Sequence, residues 1–201
     1  FKMPSTGRYS RRGGDDQGGG PSVPPGNYLL KYYYKGDSAS TTLTVIADPR
    51  EEYDLPGKLA RQEKVKPLIV KLEELAKSME TLKECKSTME TVNKLATKEQ
   101  KDSLKEITQE TKKLYDPLYE KMYGKENVQG IVDESQQITS KLSGIYGVIW
   151  PDNALTPTQE IVLKQSLDIC EEAIKEISSF MENEWKKYRE AVEIAGVSIF
   201  K

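Results

Sequence analysis

From Leu163 to Ala195 the apolar residues of this chain recur three or four positions apart: Leu163, Leu167, Cys170, Ile174, Ile177, Met181, Trp185, Tyr188, Val192 and Ala195. That spacing puts them on one side of an α-helix. Thr156-Pro157-Thr158-Gln159 stands just upstream as a start signal, a capping box with proline in the first helical position. A helix over about 157–195 would run roughly 60 Å, and an apolar stripe of that length needs a partner to exclude water. The chain must therefore supply other stripes, and it does.

Three earlier segments carry the same pattern. Leu68, Leu72, Leu75, Met79, Leu82, Met89 and Val92 mark a first helix over about 51–94. Asp48-Pro49 suits its opening, Pro56 offers a second start, and Pro67 predicts a kink. Thr97-Lys98-Glu99-Gln100 is a second capping box and begins a helix over about 98–123, with the seam Leu104, Ile107, Thr111, Leu114 and Leu118. Pro117 should bend that helix and Gly124 should help end it. Ile131, Ser135, Ile138, Leu142, Ile145 and Ile149 predict a third helix over 131–149, broken by Trp150-Pro151-Asp152-Asn153. Four separately capped stripes joined by short connections predict an antiparallel, up-down-up-down four-helix bundle over 49–201. A charged fraction of 31% at a net charge of −2 fits its solvated faces, which mix both signs.

The first 48 residues differ in kind. Residues 1–26 hold 7 of the 14 glycines and 4 of the 10 prolines, a loop composition over about 5–26. Tyr28-Leu29-Leu30-Lys31-Tyr32-Tyr33-Tyr34 and Thr41-Thr42-Leu43-Thr44-Val45-Ile46 then read as two strands, with Lys35-Gly36-Asp37-Ser38 as the turn between them. Side chains alternate along a strand, so Tyr28, Leu30, Tyr32 and Tyr34 share a face. That face is expected to be the half-buried side of a sheet; a carbohydrate platform is the competing reading. A lone hairpin is marginal in water, which calls for a third strand, and Phe1-Lys2-Met3 is the available segment. The fold class expected is α+β, predominantly α: a small β-sandwich-like module over 1–48 of about three strands, followed by the bundle.

Function is constrained mostly by exclusion. There is no histidine, which removes imidazole triads and histidine metal sites. Two cysteines, Cys85 and Cys170, are too few for a four-thiolate zinc site; both sit inside helical segments, where a small buried hydrophobe is the expected role and a bridge or a surface thiol the alternative. The near-neutral charge argues against nucleic acid as a partner, and no run approaches the ~18 apolar residues of a transmembrane segment. Carboxylate pairs occur at Glu51/Glu52, Glu73/Glu74 and Glu171/Glu172, but nothing in the spacing gathers two of them in a cleft, as glycoside hydrolysis demands. No catalytic, cofactor-binding or metal-ligating residue is assigned, and no cofactor is expected. The chain opens at Phe1 without an initiator methionine and reads as a piece of a longer polypeptide.

Val23-Pro24-Pro25-Gly26-Asn27-Tyr28, the tyrosine-rich strand, the Lys-Gly-Asp-Ser turn and Thr44-Val45-Ile46-Ala47-Asp48-Pro49-Arg50 together resemble a known arrangement. It is similar to the segment after the β-propeller in large BNR-repeat, sortilin-like proteins of Bacteroidetes-type bacteria, often labelled glycosyl hydrolases. There a Pro-Gly-x-Tyr strand leads through Val-x-x-Asp-Pro-Arg into a helical C-terminal region. The cap Pro157-Thr158-Gln159 is one residue tighter than the family's pattern. The resemblance implies a non-catalytic C-terminal module whose partner is an upstream propeller of the same polypeptide. It also implies export to the periplasm or cell surface and a protein or glycan bound by the parent. Two alternatives remain open: carboxylates meeting in a groove between sheet and bundle to form part of a glycosidase site, and a stand-alone coiled-coil adaptor.

Overall fold

The computed structural model describes residues 23–50, 52–125 and 134–197. Strands β1 (Gly26–Tyr34) and β2 (Asp37–Val45) form an antiparallel hairpin in which Tyr28 faces Leu43, Tyr32 faces Ala39 and Tyr34 faces Asp37. Lys35 and Gly36 both take positive φ, 47° and 90°, the twist that a two-residue hairpin turn requires and that glycine supplies without strain. The described sheet has two strands rather than the three expected; Phe1-Lys2-Met3 lies outside the described residues. The expected half-buried face is also revised. Tyr32 and Tyr34 are 68% and 60% exposed, because no second layer among the described residues covers them.

Helix α1 (Leu55–Leu95) starts where the second of the two proline signals placed it. Asp54 is the cap, its carboxylate accepting from the Gly57 N–H at 2.9 Å. Asp48, expected as a cap, instead holds Arg50: its carboxylate accepts from the backbone N–H, Nε and Nη2. Pro67 and Pro117 lie within α1 and within α2 (Lys98–Tyr123) without ending either helix. The capping box at Thr97 forms as expected, and α2 ends at Gly124, which takes φ 84°.

The third segment is not one helix. It breaks into α3 (Ile138–Lys141), a 3₁₀ turn (Ser143–Ile145) and α4 (Tyr146–Ile149). Gly144 and Gly147 lie in this stretch and weaken a continuous helix, yet Ile138, Leu142, Ile145, Val148 and Ile149 are all buried. The last segment is α5 (Pro157–Phe180), a π turn (Met181–Trp185) and α6 (Lys186–Ile194) in unbroken succession.

Cross-helix contacts fix the directions. Lys64 meets Glu160, Cys85 meets Met181, and Gln100 reaches the Ala195 carbonyl, so α1 and α5–α6 run parallel. Tyr115 lies against Phe180 and Lys121 against Glu176, so α2 runs opposite to both. After α2, the short segments α3 and α4 continue downward until the Val148 carbonyl meets Arg61 near the start of α1. The layout is therefore three columns, up, down and up, rather than an up-down-up-down bundle of four. Lengths explain it. At 1.5 Å per residue α1 is about 60 Å long, and α2 alone is about 40 Å, so α3–α4 fill out the middle column. One core cluster runs its whole length, from Val65 and Ile149 to Val92 and Val192.

Candidate functional site

A dense polar junction lies at the foot of the bundle, where α1 begins, the middle column ends and the connection to α5 crosses over. The buried stripe of α1 continues upstream of Leu68 at the same helical spacing, through Val65 to Arg61 and Lys58. Arg61 is only 1% exposed and Lys58 3%. A buried guanidinium is tolerated only when its donors are used, and here they are. Nη1 donates to the Val148 carbonyl at 2.7 Å, Nε to the Asn153 carbonyl, and Nη2 to Ala154 O at 2.9 Å, to Gln159 Oε1 at 2.8 Å and to Asn153 Oδ1. Burial still lowers its pKa, opposed by the charge of Asp152.

Lys58 donates to the carboxylate of Asp152, with its ammonium 5.8 Å from the centre of the Tyr53 ring. Gln159 serves two structures at once. Its side-chain oxygen accepts from the Thr156 N–H to close the capping box, and its amide nitrogen donates to the Gly147 carbonyl. Between this junction and the base of the hairpin lies a groove of about 370 Å³. Val23, Pro25, Val45 and Ile46 form its apolar wall, and Asp48, Glu52, Asp54 and Asp152 its acidic side. Three of these four carboxylates already have partners within the fold: Asp48 holds Arg50, Asp54 caps α1, and Asp152 holds Lys58. The groove is thus lined by fastenings, not by a nucleophile with a base beside it.

Among the described residues the carboxylate pairs singled out from the sequence are not gathered in one place. Glu52 borders the groove while Glu51 lies outside the described residues. Glu73 and Glu74 are exposed on α1, Glu74 pairing with Lys71; Glu171 and Glu172 are exposed on α5, Glu172 near Lys121. Among the described residues no group of three or more carboxylates or thiols is arranged to hold a metal ion, and no helix is long and apolar enough to cross a membrane. Cys85 and Cys170 are free and buried. Burial pushes their thiols up to about 12 and about 11, so both stay protonated at neutral pH and are poor nucleophiles.

The second feature is the hairpin. One face carries Leu30, Tyr32 and Tyr34 with Leu43 beside them, all exposed, and the other mixes exposed Leu29 and Tyr33 with Lys31, Ser40 and Thr42. The Tyr28 hydroxyl is held by the Pro24 carbonyl at 2.6 Å, which ties the Pro-Pro-Gly approach to the sheet. Comparison with family models, with curated proteins and with solved structures finds no match. The sequence reading missed the Arg61 junction. A signal was available, since the apolar spacing of α1, projected upstream of Leu68, lands on Val65, Arg61 and Lys58.

Proposed function

We propose that this chain is a non-catalytic accessory and interaction module of a larger exported protein, joined to an upstream β-propeller that binds glycan or protein. The observation that carries this reading is the hairpin: an aromatic sheet face left in water beside a bundle that closes on itself. Contiguous exposed apolar surface of this kind marks an interaction site. A two-stranded sheet needs more strands, or a packed layer, to be stable. In this reading strands from the upstream polypeptide complete a β-sandwich-like layer over Tyr32 and Tyr34. The bundle is then the rigid projecting part, and the groove is a joint between layer and bundle. The resemblance of Pro25 to Arg50 to the post-propeller segment of BNR-repeat proteins supports the same assignment.

Two measurements test it. The purified chain should turn over no substrate in a panel of glycosides, and turnover abolished by Glu52→Gln would overturn the non-catalytic assignment. In the full-length polypeptide, Tyr32→Lys together with Tyr34→Lys should expose the connector over 46–54 to limited proteolysis. Cleavage unchanged from the parent would remove the docking role of the face.

A further inference from the structure

The long last column contains a local irregularity whose position is explained by packing. Phe180 and Trp185 are both buried, five residues apart, where a regular helix would place core residues three or four apart. The π turn Met181–Trp185 absorbs the extra residue and brings Trp185, Tyr188 and Val192 back to the core side. Such turns are costly to form, so something must hold this one. Met181 is its first residue, and its Sδ sits 3.5 Å from Cys85 Sγ on α1, whose single S–H also has the Thr81 carbonyl within reach at 3.3 Å.

We propose that Met181 is an oxidation-sensitive pin, and that converting its thioether to the sulfoxide relaxes the π turn and frees α6 from α2. Two observations support it. Met181 is half-buried, whereas Met79, Met89 and Met122 are fully buried, so an oxidant in solution reaches Met181 first among these four. The step is balanced with a peroxide as oxidant: one oxygen atom is transferred to Sδ, the O–O bond breaks, sulfur is oxidised to the sulfoxide, and the peroxide is reduced to water or an alcohol. The sulfoxide is polar and chiral and does not fit the apolar contact that the thioether makes. Cys85 is protonated and buried, which makes it a partner for Met181 rather than a competing target.

The consequence is local because of geometry. Removing one residue's worth of π turn rotates everything beyond it by about 100°. That would carry Trp185 and Tyr188, which stack at 5.1 Å between ring centres, off the core side and break the contact of α6 with α2. The foot of the bundle, fastened by Arg61, would be untouched.

The test uses the full chain with Met3→Leu, treated with hydrogen peroxide and followed by peptide mass spectrometry and amide hydrogen exchange. Met181 should gain about 16 Da before Met79, Met89 or Met122 does. Exchange should then rise about tenfold over 181–194 and 98–110 but not over 55–65 or 146–160, and methionine sulfoxide reductase should reverse it. Met181→Leu should exchange like the untreated parent whether or not peroxide is added, and Met181→Gln, a polar stand-in for the sulfoxide, should exchange fast without it. Oxidation of another of these methionines first, a uniform rise over all helices, or a Met181→Gln variant that exchanges like the parent would each overturn the proposal.

Discussion

The hairpin strands are richer in apolar residues than the long helices, yet the two regions end in opposite situations. Along α1 one residue in three or four is buried from Arg61 to Val92, while no residue of β1 or β2 is. Tyrosines show the contrast best. Tyr115 and Tyr188 lie in the core, the Tyr115 hydroxyl donating to the Leu82 carbonyl at 3.1 Å, whereas Tyr32, Tyr33 and Tyr34 stand in water. The helices find partners within about 200 residues because three columns of matching length close around one seam. A hairpin has two faces and two edges, and a single polypeptide turn covers neither. On the proposed reading, the exposed hairpin face is the part of the shell that an upstream domain supplies.

The largest expected effect would break the complete side of the comparison. Arg61→Met removes the donors that hold Val148, Asn153, Ala154 and Gln159, and leaves buried carbonyls unpaired. A loss of about 3–5 kcal/mol is expected from deleting one member of a buried charged network, read as a lower urea midpoint. If the foot is merely decorative, the midpoint will stay where it is. Next comes Leu82→Ala, at a side chain with no exposure at all. Core truncations of this type cost about 2–5 kcal/mol, and a cost under 1 kcal/mol would mean that the three-column seam is wrong.

Alkali sharpens the comparison because the bundle holds its thiols away from water. Cys85 and Cys170 have folded-state values near 12 and 11 against an ordinary 9.0. Between those limits the unfolded chain loses these protons while the folded chain keeps them, so the folded state binds more protons and stability falls as pH rises. The contribution is intact below about pH 9 and is lost progressively toward 11–12. Thermal melts at pH 8, 9.5 and 10.5 should show the decline. In the double variant Cys85→Ala, Cys170→Ala the decline should be shallower; an identical slope would mean that the thiols are not the groups responsible.

Much of this was legible before any coordinates. Capping boxes at Thr97 and Thr156 are local chemistry, and both appear with their reciprocal hydrogen bonds. The seams gave most of the buried faces because helical spacing is a one-dimensional signal, but Leu114, expected on the α2 seam, is 51% exposed and Tyr115 is buried in its place. Column count was not legible, because it depends on which way a connection turns. Ile138 to Ile149 has helical spacing, yet its glycines and the length of α2, about 40 Å, turn it into the lower part of an existing column. The π turn was invisible for a related reason: Met181 and Phe180 both fit a seam, and only packing against α1 decides between them. Arg61 escaped because a charged residue on an apolar stripe reads as an interruption until its five acceptors, all distant in sequence, are assembled around it.

The smallest effect is the most informative about the incomplete side. Leu30→Ala removes as many atoms as Leu82→Ala, but Leu30 is already in water in this chain, so the stability read from urea unfolding should change by less than about 0.5 kcal/mol. The same substitution in the full-length polypeptide is a different experiment. If upstream strands cover the aromatic face, Leu30 becomes a core residue there and its loss costs about 2 kcal/mol or more. A small effect in both contexts would mean that the face stays in water and that the hairpin is no buried joint. A large effect in this chain alone would mean that residues upstream of Val23 already cover it. One pair of variants, measured twice, thus separates a surface awaiting its partner from one that has none.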